Sequence, residues 1–458
     1  MRSASATPAP SGVRHAAPSR SWWALALLWI VYALDANSRQ MFFMVLPSIT
    51  KEFGVDARTM GLYATYITMA TALIAVPAMV WADRGGHGWR RKYRHLPIVI
   101  AYTLFTCLTG VSVMTASIGA LVLMQVLSHA FGGAGESIEV TSLAEWWSKE
   151  RRGFALGAHH TGYPWGTLLG GLIVGGILSA FGPENWRVPF LLFPIPVIVA
   201  FSIYWFFCNK ANYQRLNSAI TSAGETPPLS SEFAEHTAGA PKGSLLVALA
   251  NPNILVIAIV SLLAVVAYFG ISFWLPQYLA FVAKYNFAEA AAYSVLFTIT
   301  GGLGQIVWGW LSDRIGRKFC LILVFIWLAV GMVLMKFTYM GLGTLIAVQL
   351  FAGFALNAPY TLVYAIAFDS TKPGTTGIAG SIINVGIYAG GFGPYVIGAM
   401  IGAKGGFSVA EGYYDALYFI SGLMVAALIL TVFFTRETAG WFKKHDFAIV
   451  SKKSCNVE

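Results

Sequence analysis

Three landmarks in the first half of the chain recur in the second half, in the same order and at nearly the same spacing. Leu46-Pro47 returns as Leu275-Pro276, Asp83-Arg84 as Asp313-Arg314, and Pro164 as Pro394, with offsets of 229 or 230 residues. A repeat of this length in an apolar chain predicts two homologous membrane bundles in tandem. Such repeats place a substrate site at their interface, near the bilayer midplane, which is the architecture of a transporter.

The composition excludes a soluble globular protein. Of the 458 residues 57% are hydrophobic and only 11% are charged, against about 25% charged residues in soluble domains. Residues 96–135 and 251–282 contain no Lys, Arg, Asp or Glu. Each of these runs exceeds the roughly 20 residues that cross a bilayer, so the chain is predicted to be an integral membrane protein.

The apolar pattern predicts an all-α fold of twelve transmembrane helices in two pseudo-symmetric six-helix bundles. The helices are expected at roughly 22–46, 60–82, 95–114, 118–142, 153–180, 187–208, 251–280, 288–311, 318–338, 342–367, 375–402 and 411–435. The predicted units are an N-terminal tail (1–21), a first bundle (22–208), a linker (209–250), a second bundle (251–435) and a C-terminal tail (436–458). The linker, rich in Ser, Thr, Ala, Glu and Pro, is interpreted as a polar tether. The first helix is too long for a signal-peptide core and is expected to be retained.

Lys and Arg residues predict the orientation. Of the 30 basic residues, 23 fall in the two tails, the linker and the loops on the same side of the predicted bundles. Because cytoplasmic loops carry the excess of Lys and Arg, both termini and the linker are expected in the cytoplasm. A bacterial inner membrane is the expected location.

No cofactor, metal site or nucleic-acid partner is expected. Cys107, Cys208, Cys320 and Cys455 are scattered and lack metal-ligand spacing, so a disulfide framework is not expected either. The basic residues behind the net charge of +10 flank membrane segments, so this charge does not indicate a nucleic-acid partner. The expected partners are a small solute, protons and the lipid bilayer, and the chain is expected to work as a monomer.

One decapeptide resembles a family signature. Residues 309–318, Gly-Trp-Leu-Ser-Asp-Arg-Ile-Gly-Arg-Lys, are similar to the loop 8–9 motif of the major facilitator superfamily. The first-half copy keeps Asp83-Arg84, but Met79 stands where glycine is expected. The end of the seventh helix, residues 273–279, resembles the organic anion and metabolite symporters of that family.

This resemblance implies two bundles that rock about a central cavity. A carboxylate at a helix end that pairs with Arg or Lys of the motif would latch one conformation. The latch residues implied are Asp83, Arg84, Gly309, Asp313, Arg314, Arg317 and Lys318. The alternative is that the basic cluster only enforces topology.

Ionisable groups within a membrane span are candidates for function. Asp35 and Arg39 lie near the middle of helix 1, and their i,i+4 spacing puts them on one face. Arg39 is expected to bind an anionic group, and Asp35 to carry protons or to hold Arg39 in place. The alternative is an internal ion pair that only packs helix 1.

Helices 4 and 5 add further ionisable candidates. His129 and Glu136 are candidates for proton coupling, and histidine titrates near physiological pH. The alternatives are that His129 is a neutral hydrogen-bonding residue and that Glu136 pairs with Arg151 or Arg152 for structure. Glu139 is expected to pair with Arg151 or Arg152 instead. Of the adjacent His159 and His160 one is expected to face the cavity, and His160 is the substrate-binding candidate.

The second half has no charged residue centred in a span, and its candidates are hydrogen-bonding and aromatic side chains. Such groups suit a small organic solute. The substrate-binding candidates are Tyr268, Gln277, Asn357, Tyr360, Asn384 and Tyr388.

These features predict a secondary active importer of a small organic carboxylate, driven by proton symport. A sugar or polyol symporter and a drug or metabolite efflux antiporter remain alternatives within the same fold. A membrane enzyme is not expected, because no nucleophile with a base and no nucleotide loop is found, and a receptor without transport would carry a signalling domain.

Overall fold

The computed structural model describes residues 17–74, 77–78, 81–82, 88–148, 151–225, 227–228, 249–370 and 376–445, and these contain helices and no strand. The α-helices with described bounds before residue 225 are α1 (Ser19–Met44), α2 (Leu46–Phe53), α3 (Ala57–Leu73), α4 (Lys92–Thr109), α5 (Ile118–Ala144), α6 (Arg152–His160), α7 (Gly162–Phe181), α8 (Val188–Leu192), α9 (Pro194–Phe207) and α10 (Lys210–Ser222).

Nine helices follow in the second half. They are α11 (Pro252–Phe281), α12 (Phe287–Tyr293), α13 (Phe297–Ile315), α14 (Arg317–Leu334), α15 (Leu342–Leu356), α16 (Ala358–Asp369), α17 (Thr376–Ala389), α18 (Gly393–Ala403) and α19 (Ala410–Phe434). Within the described ranges, nine helical segments, several of them with a short break, are long and apolar enough to cross a membrane. With α1–α2, α3 and α4 in the first three predicted positions, the arrangement agrees with twelve spans.

The internal repeat appears as matched helix breaks. The fifth span is interrupted at Thr161, between α6 and α7, and the eleventh at Gly390–Phe392, between α17 and α18. Each break lies just before the repeated proline, Pro164 or Pro394. Proline has no backbone N–H to give and its ring crowds the preceding turn, so a helix interruption at both positions follows from the sequence. The Leu-Pro landmark is less symmetric, because the helix breaks at Val45 before Pro47 whereas Pro276 lies inside α11.

The two bundles approach most closely at one end of the molecule. We name this the outer end; it carries the end of α2 and the start of α3. The opposite, inner end carries Ser19 and Phe434. Helix α3 packs on α18, and α7 packs on α12. A methyl group at Gly61 would collide with the Pro394 carbonyl, and one at Gly171 would collide with Val295. Small residues therefore let the backbones approach and close the outer end.

The linker begins with a helix, which the tether interpretation did not predict. Asn209 caps α10 by accepting a hydrogen bond from the backbone N–H of Asn212, at 2.9 Å. Tyr213, Leu216 and Ile220 are spaced three and four residues apart and are buried. This apolar face explains why the first part of the linker folds as an amphipathic helix.

The segment after α19 folds back onto the start of α14. The Glu437 carboxylate accepts backbone hydrogen bonds from Arg317 (2.8 Å), Lys318 (3.1 Å) and Phe319 (3.0 Å). The ring of Phe442 stacks on Phe319 at 4.2 Å. A carboxylate here satisfies free amides of the helix N-terminus and complements its dipole, so this segment fixes the α13–α14 turn.

Candidate functional site

A charge cluster lies in the first bundle, near the middle of α1. The guanidinium Nη2 of Arg39 is 2.5 Å from Asp35 Oδ2 and 3.0 Å from Glu136 Oε2 on α5. Arg39 is 5% exposed and Asp35 is 0% exposed, whereas the Glu136 side chain is 29% exposed. One cation therefore holds two carboxylates, and the more exposed of them belongs to a different helix.

The packing of α5 against α1 makes this cluster possible. A β-carbon at Gly132 would come too close to Asp35 Oδ1, so glycine leaves room for the carboxylate where α5 passes it. Asp35 Oδ1 and Arg39 Nε have no hydrogen-bond partner among the described side and main chains. Buried polar atoms are normally paired. Unused hydrogen-bonding capacity at Arg39 is therefore available to a bound molecule.

Two tyrosines complete the cluster. Tyr32 donates a hydrogen bond to Glu136 Oε1 at 3.1 Å. The ring of Tyr163 lies 5.1 Å from the Arg39 guanidinium, and Gln40 donates to its hydroxyl oxygen at 2.7 Å. Sequence reasoning missed these three residues. Tyr32 lies three residues before Asp35, and this spacing gave a signal for it. Gln40 stands out only as a polar residue in an apolar helix, and Tyr163, 124 residues after Arg39, gave no signal.

Aromatic contacts connect this cluster to the second bundle. The Tyr163 ring is 6.4 Å from Tyr268 on α11, and Tyr268 is 5.8 Å from Tyr360 on α16. The Tyr268 hydroxyl is buried and has no hydrogen-bond partner in the described structure. The structure thus brings Asp35, Arg39 and the two predicted tyrosines into one site between the bundles.

The remaining amide and tyrosine candidates line helices of the second bundle. Asn357 is buried at the break between α15 and α16, beside Gly301, and its Nδ2 has no partner among the described residues. Asn384 is exposed and accepts a hydrogen bond from Tyr364. Tyr388 is one turn further along α17 and half-buried. These groups offer polar atoms on the helices of the second bundle.

The histidine candidates lie around the cluster and do not enter its ion pairs. His129 is buried, and its Nδ1 is 3.0 Å from the Gln125 carbonyl oxygen of the same helix. His160 is half-buried, with Nδ1 2.8 Å from the Leu156 carbonyl oxygen. His159 is fully buried and stacks on Tyr32 at 4.6 Å. A carbonyl can only accept, so both Nδ1 contacts imply a protonated Nδ1.

Glu139 pairs differently from the prediction. Its Oε1 is 3.2 Å from Nε2 of His95 on α4, and both side chains are 0% exposed. Arg151 forms an ion pair with Glu225 at 2.6 Å instead. The expected pairing of Glu139 with Arg151 or Arg152 is wrong, because α5 turns this carboxylate toward α4 and away from the inner mouth.

Gln277 belongs to the closed outer end. Its Nε2 donates to Thr50 Oγ1 at 3.2 Å, across the bundle interface, and both residues are buried. Nearby, the rings of Phe43 and Phe273 meet at 5.0 Å. Gln277 lies nine residues beyond Tyr268, about 13 Å along the helix axis. In this conformation it seals the outer end, at a distance from the charge cluster.

The described latch residues lie at the inner end and pair within the second bundle. Arg317 contacts Asp369 at 2.5 Å and Asp313 at 3.3 Å. Arg314 lies over the Trp310 ring at 3.9 Å, and Lys318 is buried at the start of α14. Gly309 faces Thr361. The predicted Asp83 and Arg84 lie outside the described residues.

We expect Asp313→Asn to slow transport while leaving substrate affinity almost unchanged, because the residue biases conformations and is remote from the solute. The measurement is kcat and KM for uptake in proteoliposomes. Asp415→Asn, which removes the exposed outer-end pair with Lys404 (3.0 Å), is the matched control. A large rise in KM with an intact turnover rate would contradict this role.

A buried charge cluster in one helical bundle, connected by aromatic contacts to a second, pseudo-symmetric bundle, is typical of a membrane transporter. The chain belongs to the Major Facilitator Superfamily, whose family model matches residues 28–301 and 287–453.

Two curated relatives cover nearly the whole chain at low identity, and a third covers about two thirds of it. The cis,cis-muconate transport protein of Acinetobacter baylyi is 26% identical over 418 residues, covering 89% of this chain and 94% of the relative. The hexuronate transporter of Bacillus subtilis is 23% identical over 434 residues, covering 91% and 95%. The glucose-6-phosphate exchanger of Xenopus laevis is 26% identical over 339 residues, covering 68% and 66%.

Solved structures share the fold. A bacterial homologue of the human lysosomal transporter Spinster, in an inward-facing and occupied conformation, superposes with a TM-score of 0.68 at 17% identity, covering 91% of this chain and 97% of the other. The xylose transporter of E. coli, in a partially occluded inward-open conformation, gives 0.69 at 12% identity, covering 93% and 100%. These relatives and neighbours are transporters, not enzymes.

Proposed function

We propose that this transporter imports a small organic anion together with a proton. The observation that carries this proposal is the Arg39 guanidinium, which holds two carboxylates although a single anion would neutralise it. A substrate carboxylate can take one of these two places. Guanidinium suits this role because it binds carboxylates in a bidentate manner.

Glu136 is the carboxylate that the substrate displaces. It lies on another helix and is partly exposed, whereas Asp35 is fully buried on the same helix as Arg39. Protonation of Glu136 removes its charge and weakens its bond to Arg39, so an anion can bind. The proton enters on Glu136 from the outer side and leaves to the inner side, after which Glu136 returns to Arg39. Binding of proton and anion is thereby coupled.

The closed outer end and the latch pairs within one bundle fit an inward-facing conformation. In the outward-facing state the Gln277–Thr50 bond would open, and the predicted latch would form across the inner end. Residues of both bundles in one chain contribute to the site, which fits a working monomer in a bacterial inner membrane.

The names of the relatives support an organic anion. Two of them are described as transporters of cis,cis-muconate and of hexuronate, and a third is described as a probable 4-methylmuconolactone transporter. Tyr163, Tyr268 and Tyr360 give the site aromatic walls beside the cation. A planar unsaturated carboxylate fits a guanidinium flanked by rings better than an uncharged sugar does.

The alternative that a specific observation favours is a neutral sugar or polyol. Asn357, Asn384 and Tyr388 provide the hydrogen-bonding groups that hydroxyl-rich solutes need. Proteoliposomes with an imposed pH gradient should be tested with labelled cis,cis-muconate, glucuronate and xylose. If an acidic exterior stimulates the uptake of muconate or glucuronate, the result supports the proposal. Uptake of xylose alone supports the neutral-solute alternative. Export of a labelled solute in exchange for protons supports antiport.

The orientation is testable by cysteine labelling in a cysteine-free background. Ser218→Cys is exposed on α10 at the inner end, and Val113→Cys is exposed at the outer end. With the excess of basic residues inside, an impermeant maleimide should label position 113 in intact cells and position 218 only after lysis. The reverse pattern would place the termini outside.

A further inference from the structure

A second pair of titratable side chains is buried behind the charge cluster. His95 on α4 and Glu139 on α5 are both 0% exposed, with Nε2 and Oε1 3.2 Å apart. Glu139 follows Glu136 by three residues, so the two carboxylates lie about one helical turn apart on neighbouring parts of α5. The mechanism proposed above does not use this pair.

Three polar atoms of this region lack hydrogen-bond partners in the described structure. They are His95 Nδ1, Glu139 Oε2 and the Tyr102 hydroxyl. An unsatisfied buried polar atom is costly, and a pair that only stabilises the fold normally has its remaining atoms satisfied. Two of these atoms, Nδ1 and Oε2, are the positions at which the pair can accept one more proton.

The groups around the pair are mostly aromatic or negatively charged. The His95 ring packs edge-on against Phe201 at 5.2 Å and Tyr204 at 5.9 Å. The titratable and charged groups that face the pair are Asp35 and Arg39 on α1, Tyr102 on α4, Glu136 on α5, His159 on α6 and Tyr204 on α9. With Asp35 and Glu136 ionised, the bundle interior contains more negative than positive charge.

We propose that the His95–Glu139 pair is a second proton-binding site of the transport cycle, which allows the chain to carry a dicarboxylate with two protons. In its ionised form, the Glu139 carboxylate accepts a hydrogen bond from Nε2–H of neutral His95. A proton added at Oε2 or Nδ1 makes the pair neutral. It is taken up when the substrate binds and is released to the inner side when the substrate leaves.

The charge balance gives the reason for two protons. One substrate carboxylate replaces the Glu136 charge at Arg39 while Glu136 takes the first proton. The second carboxylate of a dianion would add one uncompensated negative charge to a poorly solvated site. A proton on the His95–Glu139 pair offsets this charge. This step depends on the proposed anion transport, whereas titration of the pair itself does not.

The first experiment needs no substrate. Infrared difference spectra of the purified protein should be recorded on a step from about pH 8 to about pH 5, where histidine and carboxyl groups with raised proton affinity titrate. We expect a protonation signal that is absent in Glu139→Gln and in His95→Gln, but present in Glu136→Gln. If every signal of the wild-type spectrum persists in Glu139→Gln and in His95→Gln, the proposed second proton site is overturned.

The second experiment measures coupling with cis,cis-muconate, at zero membrane potential. With two protons per dianion, one unit of pH gradient supports about 100-fold accumulation, and with one proton about tenfold. Glu139→Gln, which retains a hydrogen-bonding side chain toward His95, should reduce the ratio from about 100-fold to about tenfold. An unchanged accumulation ratio in this variant would overturn the proposal.

Thr106→Val is the matched control. It removes the buried 2.7 Å hydrogen bond between Thr106 and Ser128, which joins the same two helices without a titratable group. We expect this variant to accumulate substrate as the wild type does. An equal loss in Thr106→Val would assign the effect of Glu139→Gln to packing and overturn the proton site. If the wild type takes up no muconate, the substrate proposal fails, and the infrared experiment still decides the second site.

Discussion

Replacement of Arg39 by alanine is expected to abolish uptake of the anionic substrate. The variant loses the positive partner of the solute and leaves Asp35 and Glu136 without their cation. Truncating one partner of a buried charge pair costs about 2–5 kcal/mol, which corresponds to a loss in kcat/KM of roughly 30-fold to several thousandfold. Arg39→Lys keeps the charge without the planar guanidinium group, so its kcat/KM should lie between that of the wild type and that of Arg39→Ala.

The control is Arg187→Ala at the outer end. Arg187 also binds a carboxylate, Glu52, at 2.7 Å, but this pair is more exposed and remote from the site. Uptake by this variant should remain close to that of the wild type. Near wild-type uptake by Arg39→Ala would remove the anion interpretation and favour a neutral solute. A loss of folded protein in Arg39→Ala, with normal transport per folded molecule, would show that the pair is structural.

Glu136→Gln is expected to lose the share of gradient-driven accumulation that the Glu136 proton supports, while exchange of labelled for unlabelled substrate continues. Glutamine imitates the protonated carboxyl group, so Arg39 stays free for the substrate, but no proton can be released at this position. The expected loss is about tenfold for each pH unit, and the accumulation that remains is carried by the His95–Glu139 pair. Accumulation and counterflow measured on the same vesicles separate coupling from binding.

Asp35→Asn is the competing variant. Asp35 is fully buried and bonded within its own helix, so it is expected to hold Arg39 in place and to weaken binding when neutralised. If Asp35→Asn loses accumulation with normal exchange while Glu136→Gln keeps the accumulation ratio of the wild type, the proton site is Asp35. That outcome would reverse the roles proposed for the two carboxylates.

Much of the charge cluster could be predicted from the sequence because ionisable residues are costly in a membrane. Asp35, Arg39 and Glu136 stand out in apolar stretches. The spacing of Asp35 and Arg39 fixes their common helix face. The partner of Glu139 could not be predicted, since His95 is 44 residues away and only the packing of α4 on α5 brings them together.

The aromatic and conformational features had weaker signals. The chain has 20 tyrosines, and no local pattern separates Tyr163, which lies under Arg39, from those that pack or face lipid. The place of Gln277 depends on which end of the transporter is closed. One sequence encodes both conformations, so residue patterns do not show whether Gln277 contacts Thr50 or solute at a given moment.

The contact of Glu437 with α14 has a practical consequence for protein engineering. The last membrane helix ends at Phe434, but the carboxylate that caps the start of α14 comes three residues later. Gly316, with φ of 144°, leaves room for that carboxylate, which a side chain at this position would occupy. A shortened chain designed to end with the last membrane helix would therefore expose three backbone amides at the base of the second bundle, whereas a boundary placed after Phe442 retains both the carboxylate and the stacked ring.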